Sequence, residues 1–155
     1  MSERNDRGGW WVVGQFSLVG LALVAPRRGP AWPRALTWPA RALGVAALGG
    51  GVFLMRRAFS DLGASLTAFP KPKPDAELVR EGIYAQVRHP IYGGLILVAL
   101  GWAMLTTNTT RLALAGALVA WLSAKARREE VWLLERFPDY AAYREEVPGL
   151  LPSPW

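Results

Sequence analysis

The sequence predicts an all-α fold: an integral-membrane helical bundle of about four spans, with an interfacial loop and a C-terminal helix on the cytoplasmic side. Three observations carry that expectation. Hydrophobic residues make up 52% of the 155-residue chain, they gather into four runs free of charge, and basic residues and tryptophans cluster at the ends of those runs. The composition does not change character along the chain, so residues 1–155 read as one domain.

The first run, Gly8 to Pro26, opens on Trp10 and Trp11 and contains no charge. At helical rise it can nearly cross a hydrocarbon core of about 30 Å. Pro26 and two arginines follow it at once, which favours a retained first span over a cleaved signal peptide. The connector Arg27 to Pro39 holds four prolines counting Pro26, with Trp32 and Trp38, and its proline density is expected to exclude a regular helix.

Ala42 to Met55 is uncharged but only 14 residues long. Arg41 and Arg56 can snorkel at its ends, and Gly44, Gly49, Gly50 and Gly51 suit close helix packing in lipid. It reads as span two. Beyond it the chain turns polar, and Phe69-Pro70-Lys71-Pro72-Lys73-Pro74 is expected to be an extended surface loop.

Span three runs from about Ile91 to Thr107, and Asn108-Thr109-Thr110 makes a short turn into an antiparallel partner. The last apolar run, Leu112 to Ala124, is short, yet no Gly or Pro interrupts the chain from Ala117 to Phe137. A helix from Arg111 to Arg136 would be roughly 39 Å long at about 1.5 Å per residue. Its second half would therefore emerge from the hydrocarbon carrying Lys125, Arg127, Arg128, Glu129 and Glu130.

Most of the 18 Lys and Arg residues fall on the side shared by the N-terminus, the loop before Pro90 and the C-terminal tail. Basic loops favour the cytoplasm, which places both termini there, and the richness in Ala, Gly, Arg and Pro points to a bacterial inner membrane. The formal charge of +6 flanks apolar segments and forms no aromatic-interleaved patch, so anionic headgroups of the bilayer are the expected partner and nucleic acid is not. With no cysteine and a single histidine, neither a thiol nucleophile nor a metal centre is expected.

Two clusters carry ionisable groups. Arg88-His89-Pro90-Ile91-Tyr92 sits at the start of span three, where a helix N-terminus favours an anion and Tyr84 and Tyr92 offer aromatic faces to a base or a cation. A lone histidine beside an N1 proline is also a common structural cap. In Lys125 to Glu130, Lys125 and Glu129 share one helical face while Glu130 is turned by about 100°. Glu129 is thus expected to face inward, paired with Lys125.

The run Leu78-Val79-x-x-Gly82-x-Tyr84-x-x-Val87-Arg88-His89-Pro90-x-Tyr92-Gly93, with Glu129-Glu130-x-x-Leu133, Phe137 to Tyr143 and Val147-Pro148, resembles the isoprenylcysteine carboxyl methyltransferase family, related to phospholipid N-methyltransferases. The resemblance covers about residues 60–152. It implies an integral-membrane methyltransferase using S-adenosylmethionine, with Leu78, Val79, Tyr84, His89, Pro90, Ile91, Tyr92 and Glu129 around the cofactor. Lys125 stands where the family commonly has an arginine facing the methyl acceptor, a change that keeps charge and loses the planar fork. Phe137-Pro138-Asp139-Tyr140 departs from the family's Phe-Gly pattern.

In physical terms Glu129 suits the ammonium of a sulfonium cofactor, Arg88 or His89 its carboxylate, and the tyrosines its adenine or sulfonium. Lys125, Glu129 and Arg88 are the candidates for catalytic roles, and the acceptor is a lipophilic or small amphiphilic molecule. The alternative is a non-enzymatic membrane scaffold or transport accessory that keeps the fold.

Overall fold

The computed structural model describes residues 8–71 and 76–151, and over these it is all-helical. Helix α1 spans Gly9–Val24, α2 Arg34–Leu62, α3 Pro90–Leu105, α4 Thr109–Arg136 and α5 Tyr140–Glu146, with single 3₁₀ turns at Gly63–Ser65 and Gly82–Ala85. The predicted extended residues Pro72, Lys73 and Pro74 lie outside the described residues.

Helix α2 begins earlier than the prolines suggest. Pro33 caps it, with its carbonyl accepting from the Leu36 amide at 2.9 Å, and Pro39 falls in the second turn. A proline there forfeits one intrahelical bond and can be carried by the turns that follow. The expectation of irregular chain up to Pro39 is thus corrected. The resulting 29-residue helix is, among the described residues, the one long and apolar enough to cross a membrane. Helices α1 and α3 are apolar but 16 residues each, about 24 Å at helical rise and short of a full hydrocarbon core.

Helices α2 and α3 pack antiparallel at backbone contact. A Cβ on Gly44 would stand 2.7 Å from the Gly101 carbonyl oxygen, and one on Gly51 would stand 2.7 Å from that of Gly94. Only glycine admits this approach. Gly49 and Gly50, expected in the same role, face open space.

Helix α1 packs on α4 through aromatic rings. Trp10 and Trp11 stack at 4.0 Å between centroids, both meet Trp121 edge-on, and Trp121 Nε1 donates to the Trp11 carbonyl at 3.1 Å. At Gly14 a side chain would collide with the Trp121 ring at 2.1 Å. The turn between α3 and α4 is as expected short, with Thr107 at φ 45° and Asn108 capping α4 by accepting from the Arg111 amide. Helix α4 runs to Arg136 and stops before Pro138.

Candidate functional site

At the end of the bundle formed by the C-terminal part of α2, the start of α3 and the middle of α4, the fold encloses a cavity of about 440 Å³. That size is typical of small-molecule sites. Helix α5 and residues 147–150 close it from the outside. The Arg88 and His89 amides donate to the carbonyls of Pro148 and Gly149 at 2.9 and 2.8 Å, and the Tyr143 hydroxyl donates to the Tyr84 carbonyl at 2.6 Å. At the other edge the Gly82–Ala85 turn is held by Asp61, whose Oδ2 accepts from the Ile83 amide at 2.8 Å.

Of the residues singled out from the sequence, Leu78, Val79, Tyr84, Arg88, His89, Ile91, Tyr92, Lys125 and Glu129 all line this one cavity. Pro90 does not; it is fully buried at the first position of α3. Glu129 and His89, forty residues apart, approach to 3.7 Å (Nδ1 to Oε2), and the Tyr92 hydroxyl donates to Glu129 Oε2 at 2.7 Å. The imidazole lies parallel to the Tyr92 ring, within 3°, at 5.4 Å between centroids.

Three details differ from the sequence reading. Lys125, 0% exposed, donates to Gln15 Oε1 at 2.6 Å and to the Ala68 carbonyl at 2.9 Å, instead of pairing closely with Glu129. Its ammonium also lies 5.0 Å from the centre of the Tyr92 ring. Arg88 directs its guanidinium to Glu130, at 2.9 and 3.0 Å, and to the carbonyls of Arg144 and Val147. Arg88, one of the two side chains expected to receive an anion at this helix start, is therefore engaged within the protein, as are the backbone amides of Arg88 and His89.

Glu130, expected to turn away, is the more enclosed of the two carboxylates, because helix α5 and the segment after it fold back over its face of α4. It meets Arg88, His89 Nε2 at 3.1 Å and Arg144 Nε at 3.3 Å. Burial pushes its carboxyl up, but the hydrogen bonds and charges of His89 and Arg88 more than offset this and hold it near 2. Glu129 goes the other way: burial raises its carboxyl above the usual range against the opposing pull of His89, Tyr92 and Lys125. Burial also pushes the Tyr143 phenol up to about 12, keeping it a donor at neutral pH.

The residues that sequence reasoning missed are Gln15, Glu130 and Tyr140. Gln15 had a visible signal, since it is the one amide in the uncharged run of α1, and burying it demands a partner. Tyr140 lines the cavity, is 1% exposed and leaves its hydroxyl without a hydrogen-bond partner among the described residues.

The walls divide by character. Arg88, His89, Glu129, Tyr84, Tyr92, Tyr140 and Tyr143 make a polar floor, whereas Phe16, Met55, Phe59 and Leu66 make an apolar side. Phe16, Phe59 and Leu66 are also exposed, so the apolar side of the cavity is continuous with apolar residues at the surface. Among the described residues no group of three or more His, Cys, Asp or Glu side chains is arranged to hold a metal ion.

Residues 39–140 match the phospholipid methyltransferase family. A protein-S-isoprenylcysteine O-methyltransferase of Schizosaccharomyces pombe is 39% identical over 107 residues, covering 66% of this chain and 45% of the relative. Protein-S-isoprenylcysteine O-methyltransferase B of Arabidopsis thaliana is 31% identical over 107 residues, covering 66% and 54%. The cobalt-zinc-cadmium resistance protein CzcN of Cupriavidus metallidurans is 31% identical over 152 residues, covering 96% and 64%. The chain thus spans about half the length of the two isoprenylcysteine methyltransferases it matches.

Proposed function

This chain belongs to the phospholipid methyltransferase family, and we propose that it transfers a methyl group from S-adenosylmethionine to a lipophilic or small amphiphilic acceptor at the cytoplasmic face of a membrane, in the manner of the isoprenylcysteine carboxyl methyltransferases it resembles. The observation that carries this reading is one cavity with two kinds of wall. Its floor gathers Glu129, His89 and Tyr92, with the Tyr92 hydroxyl donating to Glu129 at 2.7 Å and His89 Nδ1 standing 3.7 Å from the same oxygen, and its side carries Phe16, Phe59 and Leu66, which are also exposed on the surface.

The floor fits the cofactor. Glu129 is a carboxyl group whose burial His89, Tyr92 and Lys125 offset only in part, so it suits an ammonium or a sulfonium, and Tyr92 and Tyr84 supply π-faces and hydroxyls beside it. When bound, the cofactor supplies an activated methyl on a positively charged sulfur. The protein then has to position the acceptor and exclude water, a task worth several kcal/mol without any nucleophile of its own. Arg88, given its engagement with Glu130 and two carbonyls, serves in this reading as the strap that fixes His89 and the C-terminal segment.

The apolar side fits a lipid-like acceptor entering from the bilayer. Val13, Phe16, Leu21, Leu43, Val45, Val52 and Phe53 expose large apolar surface along α1 and α2, more than an aqueous surface ordinarily carries. We read α1 to α4 as a bundle of about four spans with both termini cytoplasmic and α1 and α3 extended by their flanking residues. Isothermal titration of the protein in detergent with S-adenosylhomocysteine tests the proposal. Binding in the micromolar range is expected, and no heat at millimolar ligand would overturn it.

A further inference from the structure

Gln15 is buried, 5% exposed, on an otherwise apolar helix, and an amide so placed must be matched by hydrogen bonds. Its match is Lys125, whose ammonium it receives at 2.6 Å from 110 positions away. Both side chains line the cavity, next to Phe16 and Tyr92. The register of α1 serves this contact: Gly14, the preceding residue, lets the helix seat against Trp121, and the Trp11 carbonyl accepts from the same indole. An ammonium has three N–H donors. Two of Lys125's go to Gln15 and to Ala68.

We propose that Gln15 is a specificity-determining residue: with Ala68 it turns Lys125 so that the remaining N–H meets a single anionic oxygen of the methyl acceptor, a carboxylate on an apolar tail. A neutral amide partner leaves the charge of Lys125 intact. A carboxylate at position 15 would neutralise it, and an aliphatic side chain would release it from its aim. The acceptor's anionic end therefore sits at the α1–α4 contact while its tail leaves past Phe16. This inference rests on the methyltransferase reading above.

The test uses the full chain in detergent, saturated with S-adenosylhomocysteine, and titrates N-acetyl-S-farnesylcysteine and its carboxamide into wild type, Gln15→Glu and Gln15→Leu. Wild type should favour the carboxylate by about tenfold or more, as for a hydrogen bond to a charged group. Gln15→Glu should bring the ratio to about one and Gln15→Leu should lower it, with S-adenosylhomocysteine affinity unchanged in both. A Gln15→Glu protein that keeps the wild-type ratio overturns the proposal, as does a wild type that binds both probes alike or neither. Joint loss of S-adenosylhomocysteine binding in both variants makes Gln15 a packing residue and overturns it too. A wild type that does not bind S-adenosylhomocysteine brings down the methyltransferase reading itself, and this inference with it.

Discussion

Glu129 and Glu130 are neighbours on α4 and live in opposite circumstances. Around Glu130 the charges answer one another inside the protein: Arg88, His89 and Arg144 converge on it, and backbone carbonyls take the rest of Arg88. Around Glu129 they do not. It has the Tyr92 hydroxyl, His89 at 3.7 Å and the cavity. A saturated charge cluster holds a fold together, whereas a partly satisfied one beside a cavity has bonding capacity left for a ligand. Sequence adjacency says nothing about which is which.

The largest effect expected from that contrast is on stability. Glu130→Ala strands Arg88 and His89 in a partly buried place, and breaking such a pair costs about 3–5 kcal/mol, which thermal unfolding in detergent would register as a clear drop. Wild-type unfolding by this variant would mean that the cluster braces nothing. Glu129→Gln is expected to unfold like wild type and to lose about tenfold to a hundredfold in S-adenosylhomocysteine affinity by calorimetry, the worth of a hydrogen bond to a charged group. Equal losses of stability and affinity in both variants would erase the distinction.

Acid separates the two next. The Glu129 carboxyl is raised, so its anion is present above that raised pKa and is lost below it. Ligand affinity should accordingly begin to fall at a higher pH than an ordinary carboxylate would dictate. Glu130 is held near 2 against an ordinary 4.5, so it takes up a proton more readily unfolded than folded. Its stabilisation is complete above the ordinary value and disappears as pH falls from there through about 2. A pH series of affinity and unfolding temperature on one sample should therefore lose affinity first. Smallest is Tyr143→Phe, which removes one hydroxyl from the cavity floor and its bond to the Tyr84 carbonyl and should lower stability by about 1 kcal/mol.

The helices were largely legible because apolar runs and the missing Gly and Pro of 117–137 constrain local structure directly. The start of α2 was not, since a proline's cost depends on how far inside the helix it falls, and Pro33 as cap moves that boundary. The meeting of His89 with Glu129 was readable from the motif. What Arg88, Lys125 and Glu130 bind was not, because Arg88 and Lys125 reach carbonyls of residues 68, 144 and 147 and an amide on α1 while Glu130 collects Arg88, His89 and Arg144, all placed by tertiary packing alone.

The tie between Arg88-His89 and Pro148-Gly149 makes the end of the described chain part of what holds the site. Helices α2 and α3 lock along their own glycines and owe nothing to that segment. Arg88 and His89, in contrast, take their backbone and guanidinium partners from residues 144–149. A chain shortened before Arg144 would keep the glycine seam and lose the bracing of the two residues at the head of α3.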